Sequence, residues 1–295
     1  RYSGPIESVH AMRAEIRAAT LVSLETQIPL HEAGNASLKD SASLDSWSAY
    51  HLGLQHLYRF NRQDNALAAK LFEQAVAQDP GFARAHAGLS FVHFQTAFLR
   101  QTDDYAADLV LARDHAQRGI NADPLDPFVN FTMGRTFWLE GDLDRAASWL
   151  ERATSISPNY AQGIYAQAWT EIMAGSHDLA REHLDLAMRL SPLDPLYYAM
   201  LAARGLTHIA RHEDTDAADW ADRGARSPGA HALIAMSAAA AHGLAGNHDR
   251  ARYWADDARG RHAALSQAEF FGAFPIRDEA MRARIAQALG TLGFG

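Results

Sequence analysis

One spacing constrains this chain more than anything else in it. From Pro127 to Pro158 the order small Gly134, Phe137, Gly141-Asp142, Ala146, Leu150, Ala153, Pro158 recurs 34 residues later as Ala168, Glu171, Gly175, Ala180, Leu184, Ala187 and Pro192. Two gapless copies in one phase define a repeated unit. Such a unit is a pair of antiparallel helices meeting where small residues let the backbones approach, and neither helix can bury its apolar face without a neighbouring pair. Stacking of pairs must therefore supply the core. The recurring Asp-Pro and Ser-Pro endings halt each second helix, because proline disfavours helical geometry in the residue before it and donates no backbone hydrogen bond. Gly141, Gly175 and Gly246 do the matching work inside units, where the turn calls for left-handed backbone.

Carried along the chain, the pattern predicts about six units. The first pairs a helix around Trp47 to Tyr58 with one around Ala66 to Gln78. The second, Ala83 to Pro124, is about ten residues long for the period, and the excess is assigned to a turn around Arg100 to Tyr105. Units three and four are the gapless copies, the fifth starts at Pro195 with a widened turn at His212 to Asp214, and the sixth runs from about Ala232 to Ala258. Residues 1–43 stand apart. An amphipathic helix opened by Pro5 carries Ile6, Val9, Met12, Ile16, Ala19 and Leu24 until Pro29 stops it, and the polar stretch from His31 to Ser43 reads as a linker. Residues 44–295 form the solenoid, closed by a helix from about Asp278 to Leu292 that covers the open end of the last pair.

Composition removes several classes of function. With a net charge of -8 and arginines spread among acids, the chain has no basic face for a phosphate backbone, so no direct nucleic-acid contact is expected. No apolar run reaches the length of a membrane span. The absence of cysteine removes disulfides, thiolate metal sites and cysteine nucleophiles. No glycine-rich phosphate loop, nucleophile elbow or glutamate between paired histidines occurs, so no enzyme activity, catalytic residue or cofactor is assigned to this segment. His208 and His212 share a helix spacing known from metal sites, but no third ligand stands at a signature distance, and no metal is assigned. His177 and His183 read as helix-surface residues, and Asp103-Asp104, Asp216 and Asp256-Asp257 as solvated acids.

The repeat is that of tetratricopeptide proteins. The stretch "HLYRFNRQDNALAAKLFEQAVAQDPGFARAHAGL", the repeats after it, and the closing "FFGAFPIRDEAMRARIAQAL" resemble the C-terminal tetratricopeptide region of bacterial multidomain signalling proteins. Those proteins place a winged-helix transcriptional-regulator domain or a class III nucleotide-cyclase domain first, then an α/β region related to the N-terminal domain of TolB. The stretch "IESVHAMRAEIRAATLVSLETQIPL" is similar to the last helix of that α/β region. The resemblance implies an all-α, right-handed tetratricopeptide superhelix with an extra helix at each end. It also implies a cytoplasmic setting, a role in regulation and not catalysis, and an effector domain upstream of Arg1, which begins the chain without a methionine.

In that family the first helix of each unit lines the concave wall. The corresponding positions include Trp47, Tyr50, Tyr58, Arg84, Phe91, Phe94, Phe128, Phe131, Arg135, Trp138, Tyr165, Trp169 and Met173. Ten of the twenty wall positions in the first four units are aromatic, against 9% of the whole chain, so a bare wall would be a large apolar patch. Aromatic rings offer wide contact area at low rotamer cost, which suits a groove for a peptide, helix or partner domain. Two occupants are expected: the chain's own helix Ile6 to Leu24, or a partner, including a second copy in a homodimer. Arg84 and Arg135 would then anchor a carboxylate of that partner or sit in salt bridges of their own. Rival readings are a small-molecule receptor with an aromatic pocket between Phe91 and Trp169, and a free-standing scaffold.

Overall fold

The computed structural model describes residues 9–39, 43–102 and 104–295, and among them every regular element is a helix. Six antiparallel pairs follow in order: α2 (Ser46–Leu57) with α3 (Arg62–Gln78), α4 (Ala83–Phe98) with α5 (Tyr105–Ala122), α6 (Pro127–Leu139) with α7 (Leu143–Ile156), α8 (Ala161–Ala174) with α9 (His177–Leu190), α10 (Tyr197–Ala210) with α11 (Asp214–Arg226), and α12 (Ala232–Leu244) with α13 (His248–Arg261). Before them runs α1 (Val9–Ala36), and after them come α14 (Gln267–Ala273) and α15 (Glu279–Thr291). The first helices touch in succession, α2 to α4 to α6 to α8 to α10 to α12, which makes the chain an α-α solenoid of the tetratricopeptide kind.

Small residues let the pairs close. Phe72 of α3 is fully buried between two glycines, Gly53 of α2 and Gly88 of α4; a Cβ at either would fall 2.7 Å from its ring. At the α10–α11 contact the approach is backbone to backbone. A Cβ on Gly224 would lie 2.8 Å from the Tyr198 carbonyl oxygen and 3.0 Å from the Ala202 nitrogen, neither of which can swing aside. Gly224→Ala is therefore expected to push α10 and α11 apart and cost about 1–3 kcal/mol. Urea denaturation checks this as a lower midpoint with an unchanged slope; an unchanged midpoint would show that the two helices separate freely.

Turn chemistry follows the sequence where glycine is present: Gly141, Gly175 and Gly246 all have positive φ, between 73° and 94°. In the first, second and fifth units the same turn is made by Phe60, Arg100 and His212, with φ of 48°, 50° and 60°. The penalty at Phe60 is offset by burial, since its ring packs on Phe91, Tyr198 and His231.

Several expectations are corrected. The excess length of the second unit is not confined to its turn: α4 and α5 have 16 and 18 residues, where α6 and α7 have 13 and 14. Asp103 in that turn lies outside the described residues. The N-terminal helix does not stop at Pro29 but passes through it to Ala36, so residues 31–36 are helix and not linker. Proline there forfeits one backbone hydrogen bond. Continuing the helix buries Ala33 and Ala36 near α2 and lets Glu32 accept from Trp47 Nε1 at 3.1 Å. Pro5 and Ile6, and the side chains of Val9, Met12 and Ala19, lie outside the described residues; Ile16 and Leu24 are exposed.

Between α13 and α15 the sequence suggests no element, yet the chain turns back there through α14. A capping box of Ser266 and Glu269 starts this short helix. Phe270, Phe271, Phe274 and Ile276 follow, all buried. Helix α15 then buries the expected Met281, Ile285, Ala288 and Leu289 and packs on α12. It also reaches back to the α10–α11 turn, where Arg284 pairs with Asp214 at 2.7 Å and donates to the Ile209 carbonyl.

Candidate functional site

Rings at the expected wall positions meet in one row. Trp138 and Trp169, from consecutive first helices, lie 5.9 Å apart between ring centroids, and Phe91, Phe94, Phe128 and Phe131 continue the row. The middle of this wall is not open to a partner. Phe91, Phe94, Phe131, Trp138, Trp169 and Met173 are at most 1% exposed, and the segment around α14 packs on Trp138, Trp169 and Met173. Phe274 stacks on Trp169 at 4.6 Å and stands edge-on to Phe98 at 5.5 Å. Trp138 Nε1 donates to the Ala273 carbonyl at 2.8 Å, and the Arg277 backbone N–H donates to the Met173 carbonyl at 2.7 Å. Arg277 and Asp278 clasp the outside through Asp144 and His177, at 3.1 and 3.0 Å.

The middle of the expected peptide groove is thus covered by the chain's own C-terminal segment, while α1 lines its open end from Leu24 onward. At the Trp169 end of the aromatic pocket expected between Phe91 and Trp169, Phe274 stacks on the indole. The signal for this was in the sequence: "FFGAF" offers three rings in five residues between two helices, with no place in the repeat.

A second region of the wall remains open. At the end of the groove where the first helices begin, a cavity of about 420 Å³ is walled by Trp47, Tyr50, Tyr58, Phe128 and Tyr160, with α1 along one side through Leu24, Ile28, Pro29 and Leu30. Of the predicted wall residues, Trp47, Tyr50, Tyr58, Arg84 and Phe128 are brought together here. His51, Leu193 and Asp194, which also line the cavity, do not stand at the positions used for the prediction, whereas Gln162 does.

The polar groups of this cavity are largely committed to one another. Asp126 caps α6, accepting from the backbone N–H groups of Phe128 and Val129, and pairs through its other oxygen with Arg84 Nε at 2.5 Å. Arg84 therefore sits in a salt bridge. Burial opposes its charge, but Tyr50 and Asp126 outweigh that and push the guanidinium pKa up. Tyr58 donates to Gln162 Oε1 at 2.9 Å, and burial raises its hydroxyl above the ordinary range. Asp194 accepts from the Leu196 N–H at 2.9 Å, yet burial holds its carboxyl above the usual value. Two groups are exceptions: the Tyr160 hydroxyl makes no hydrogen bond, and His51, 3% exposed, has both ring nitrogens without one, while burial drives the His51 pKa down to about 4.

The histidines read as surface residues are engaged instead. His183 is held by Glu171 at 2.9 Å, and His177 by Asp278. His208, Glu213 and Asp216 bring ligand atoms within 4.8 Å of one another. Glu213, however, already serves Arg181, Arg211 and His208, so guanidinium charge occupies the space a cation would need.

No known family profile matches the chain. Over 153 residues, 52% of its length, it is 24% identical to a protein described as "Putative adenylate cyclase 3" of Rhizobium meliloti (strain 1021), and it spans about a quarter (24%) of that relative. Among solved structures it is similar to an IFIT1 monomeric mutant solved with Gppp-AAAA (TM-score 0.62, 14% identity, 83% of this chain and 59% of that one). It is also similar to the APC/C hetero-tetramer Cut9-Hcn1 (0.57, 14%, 83% and 48%). A third likeness is to PilW, a type IV pilus biogenesis factor (0.52, 13%, 74% and 94%). At these identities the likeness is one of fold, and it agrees with the helical solenoid described above. Among the described residues no helix is long and apolar enough to cross a membrane.

Proposed function

We propose that this chain is the protein-interaction and regulatory module of a bacterial signalling protein, and that it receives an apolar segment of a partner protein at the cavity beside α1. The observation that carries this reading is the rim of that cavity. Trp47, Leu24, Ile28, Leu30 and Leu193 are between 46% and 76% exposed around walls that are aromatic, an arrangement that costs solubility unless something covers it. The solenoid fold, built to present a curved surface, supports a binding role. No constellation for catalysis was found in the sequence.

Residues 1–43 are the tail of an upstream domain and 44–295 the sensing solenoid; α1, which lines the cavity, links the two. Occupancy of the cavity is then felt by α1 and passed upstream. The likeness to a putative adenylate cyclase supports a nucleotide cyclase as the output, and the resemblance stated above equally supports a winged-helix transcriptional regulator. The setting is cytoplasmic, with no direct nucleic-acid contact by this segment.

The test uses the full-length gene product. Trp47→Ala is expected to leave the melting temperature nearly unchanged, since the side chain is 46% exposed, while changing the output, cyclic nucleotide formed or reporter transcript, by about tenfold or more. An output equal to that of the unaltered protein would end this reading. A small-molecule receptor is favoured by one observation, the unbonded His51 in the wall of a cavity of ligand-pocket size. That reading predicts that His51→Leu alters the output and Leu193→Asp does not; a partner segment crossing the rim predicts the reverse.

A further inference from the structure

Where the C-terminal segment meets the aromatic wall, a residual void of about 10 Å³ remains, bounded by Arg135 of α6, Trp169 of α8, Tyr198 of α10, His231 at the start of α12, and Phe274. That is room for one small ion or one water molecule. We propose that this void is a site for a single small monovalent anion, chloride, held by Arg135 with Tyr198 and His231.

Arg135 is 3% exposed and its Nε and Nη1 make no hydrogen bond. Among the described residues no carboxylate pairs with it. Its guanidinium lies instead among four rings, 4.1 Å from the centroid of Phe94, 4.7 Å from Phe91, 5.2 Å from Phe131 and 5.3 Å from Trp138. Ring faces stabilise the cation's charge but leave its N–H groups without acceptors in their plane, and an unpaired buried charge is costly. Three further polar groups of residues bordering the void are also unpartnered: the Tyr198 hydroxyl, on a side chain 2% exposed, Trp169 Nε1 and His231 Nδ1.

The charge of the site selects the ligand class. Burial lowers Arg135 to about 10, so it stays cationic at neutral pH, and burial drives His231 down to about 3, so the imidazole is neutral. One positive charge is matched by one negative charge. A divalent oxyanion is both overcharged and too large for the void. A water molecule accepts from Arg135 but leaves the buried charge uncompensated. Residues of α6, α8, α10 and α12 border this void together with Phe274, so an ion here ties the C-terminal segment to the wall it covers.

Thermal unfolding of the unaltered chain in sodium chloride and sodium gluconate at equal ionic strength tests the site. Chloride is expected to raise the melting temperature above that in gluconate, by about 2–4 °C for each tenfold increase in concentration beyond half-saturation. Arg135→Met is expected to abolish the difference. Equal melting temperatures in chloride and gluconate, or the same chloride increment in Arg135→Met, overturn the proposal. Should that variant not fold, crystals of the unaltered chain grown in sodium bromide decide the matter. An anomalous bromide peak between Arg135, Tyr198 and His231 upholds the site, and a map showing water or nothing there overturns it.

Discussion

Phe274→Ala will destabilise the chain by about 3–5 kcal/mol, the range for truncating a fully buried phenylalanine, and will open the concave wall. The side chain is 1% exposed and touches Trp169, Phe98, Phe270 and Trp138, at centroid distances of 4.6, 5.5, 5.1 and 6.5 Å. It is the ring through which the C-terminal segment grips the groove, so its loss also weakens the neighbouring bonds from Trp138 Nε1 to Ala273 and from the Arg277 N–H to Met173. Two measurements separate a simple cavity from release of the segment. A cavity alone lowers the urea midpoint and leaves the surface as it was. Release adds a red shift of tryptophan emission, from Trp138 and Trp169, and a several-fold rise in the binding of a hydrophobic dye. A loss below about 1 kcal/mol with unchanged emission would mean that the segment does not seal the wall.

Acid will weaken this protein at a pH where carboxylates are still ionised. Burial pushes His51 and His115 down to about 4 and His231 to about 3, from an ordinary value of 6.5. His115 also feels His93 and His86, whose rings stack on it at 5.9 and 5.8 Å. Since these folded-state values lie below the unfolded one, the unfolded chain takes up protons first as the pH drops. The stabilisation from keeping the rings neutral is complete above about 6.5 and is lost as pH falls from there through 4 towards 3. Each ring contributes a slope of up to about 1.4 kcal/mol per pH unit, less where solvent reaches it.

Burial lowers His208 and His242 as well and adds to the trend. His183 opposes it, because its hydrogen bond to Glu171 raises its pKa; that contribution is present below 6.5 and is lost as pH rises. The sum is an expected fall in unfolding free energy on the order of 2–4 kcal/mol between pH 7 and pH 5. Urea denaturation at the two values measures it. The drop should shrink in His51→Leu, whose ring makes no hydrogen bond to lose. Equal stability at both values would show that these rings are solvated in the folded chain.

The helix pairs were legible in the sequence because their signals are local. Gly141, Gly175 and Gly246 mark turns by a backbone preference that needs no neighbour, and prolines such as Pro158 and Pro192 end helices by geometry within two residues. The small residues of α2, α4 and α6 point to close packing wherever a 34-residue period repeats them. That Trp138 and Trp169, 31 residues apart, share a wall was implied by the family resemblance and not by the period. Pro29 misled the reading for the opposite reason: its local cost is real, and the burial of Ala33 and Ala36 that offsets it comes from α2.

Local pattern thus determined that the chain is a stack of helix pairs, since each unit states its own helices and the period states their neighbours. What lies on the wall was decided by tertiary structure alone. Phe274 meets Trp169 across 105 residues of chain, and no periodicity reports a contact made once. Only the fold could divide the predicted residues into a half sealed by that contact and a half, around Trp47 and Tyr58, that still faces solvent.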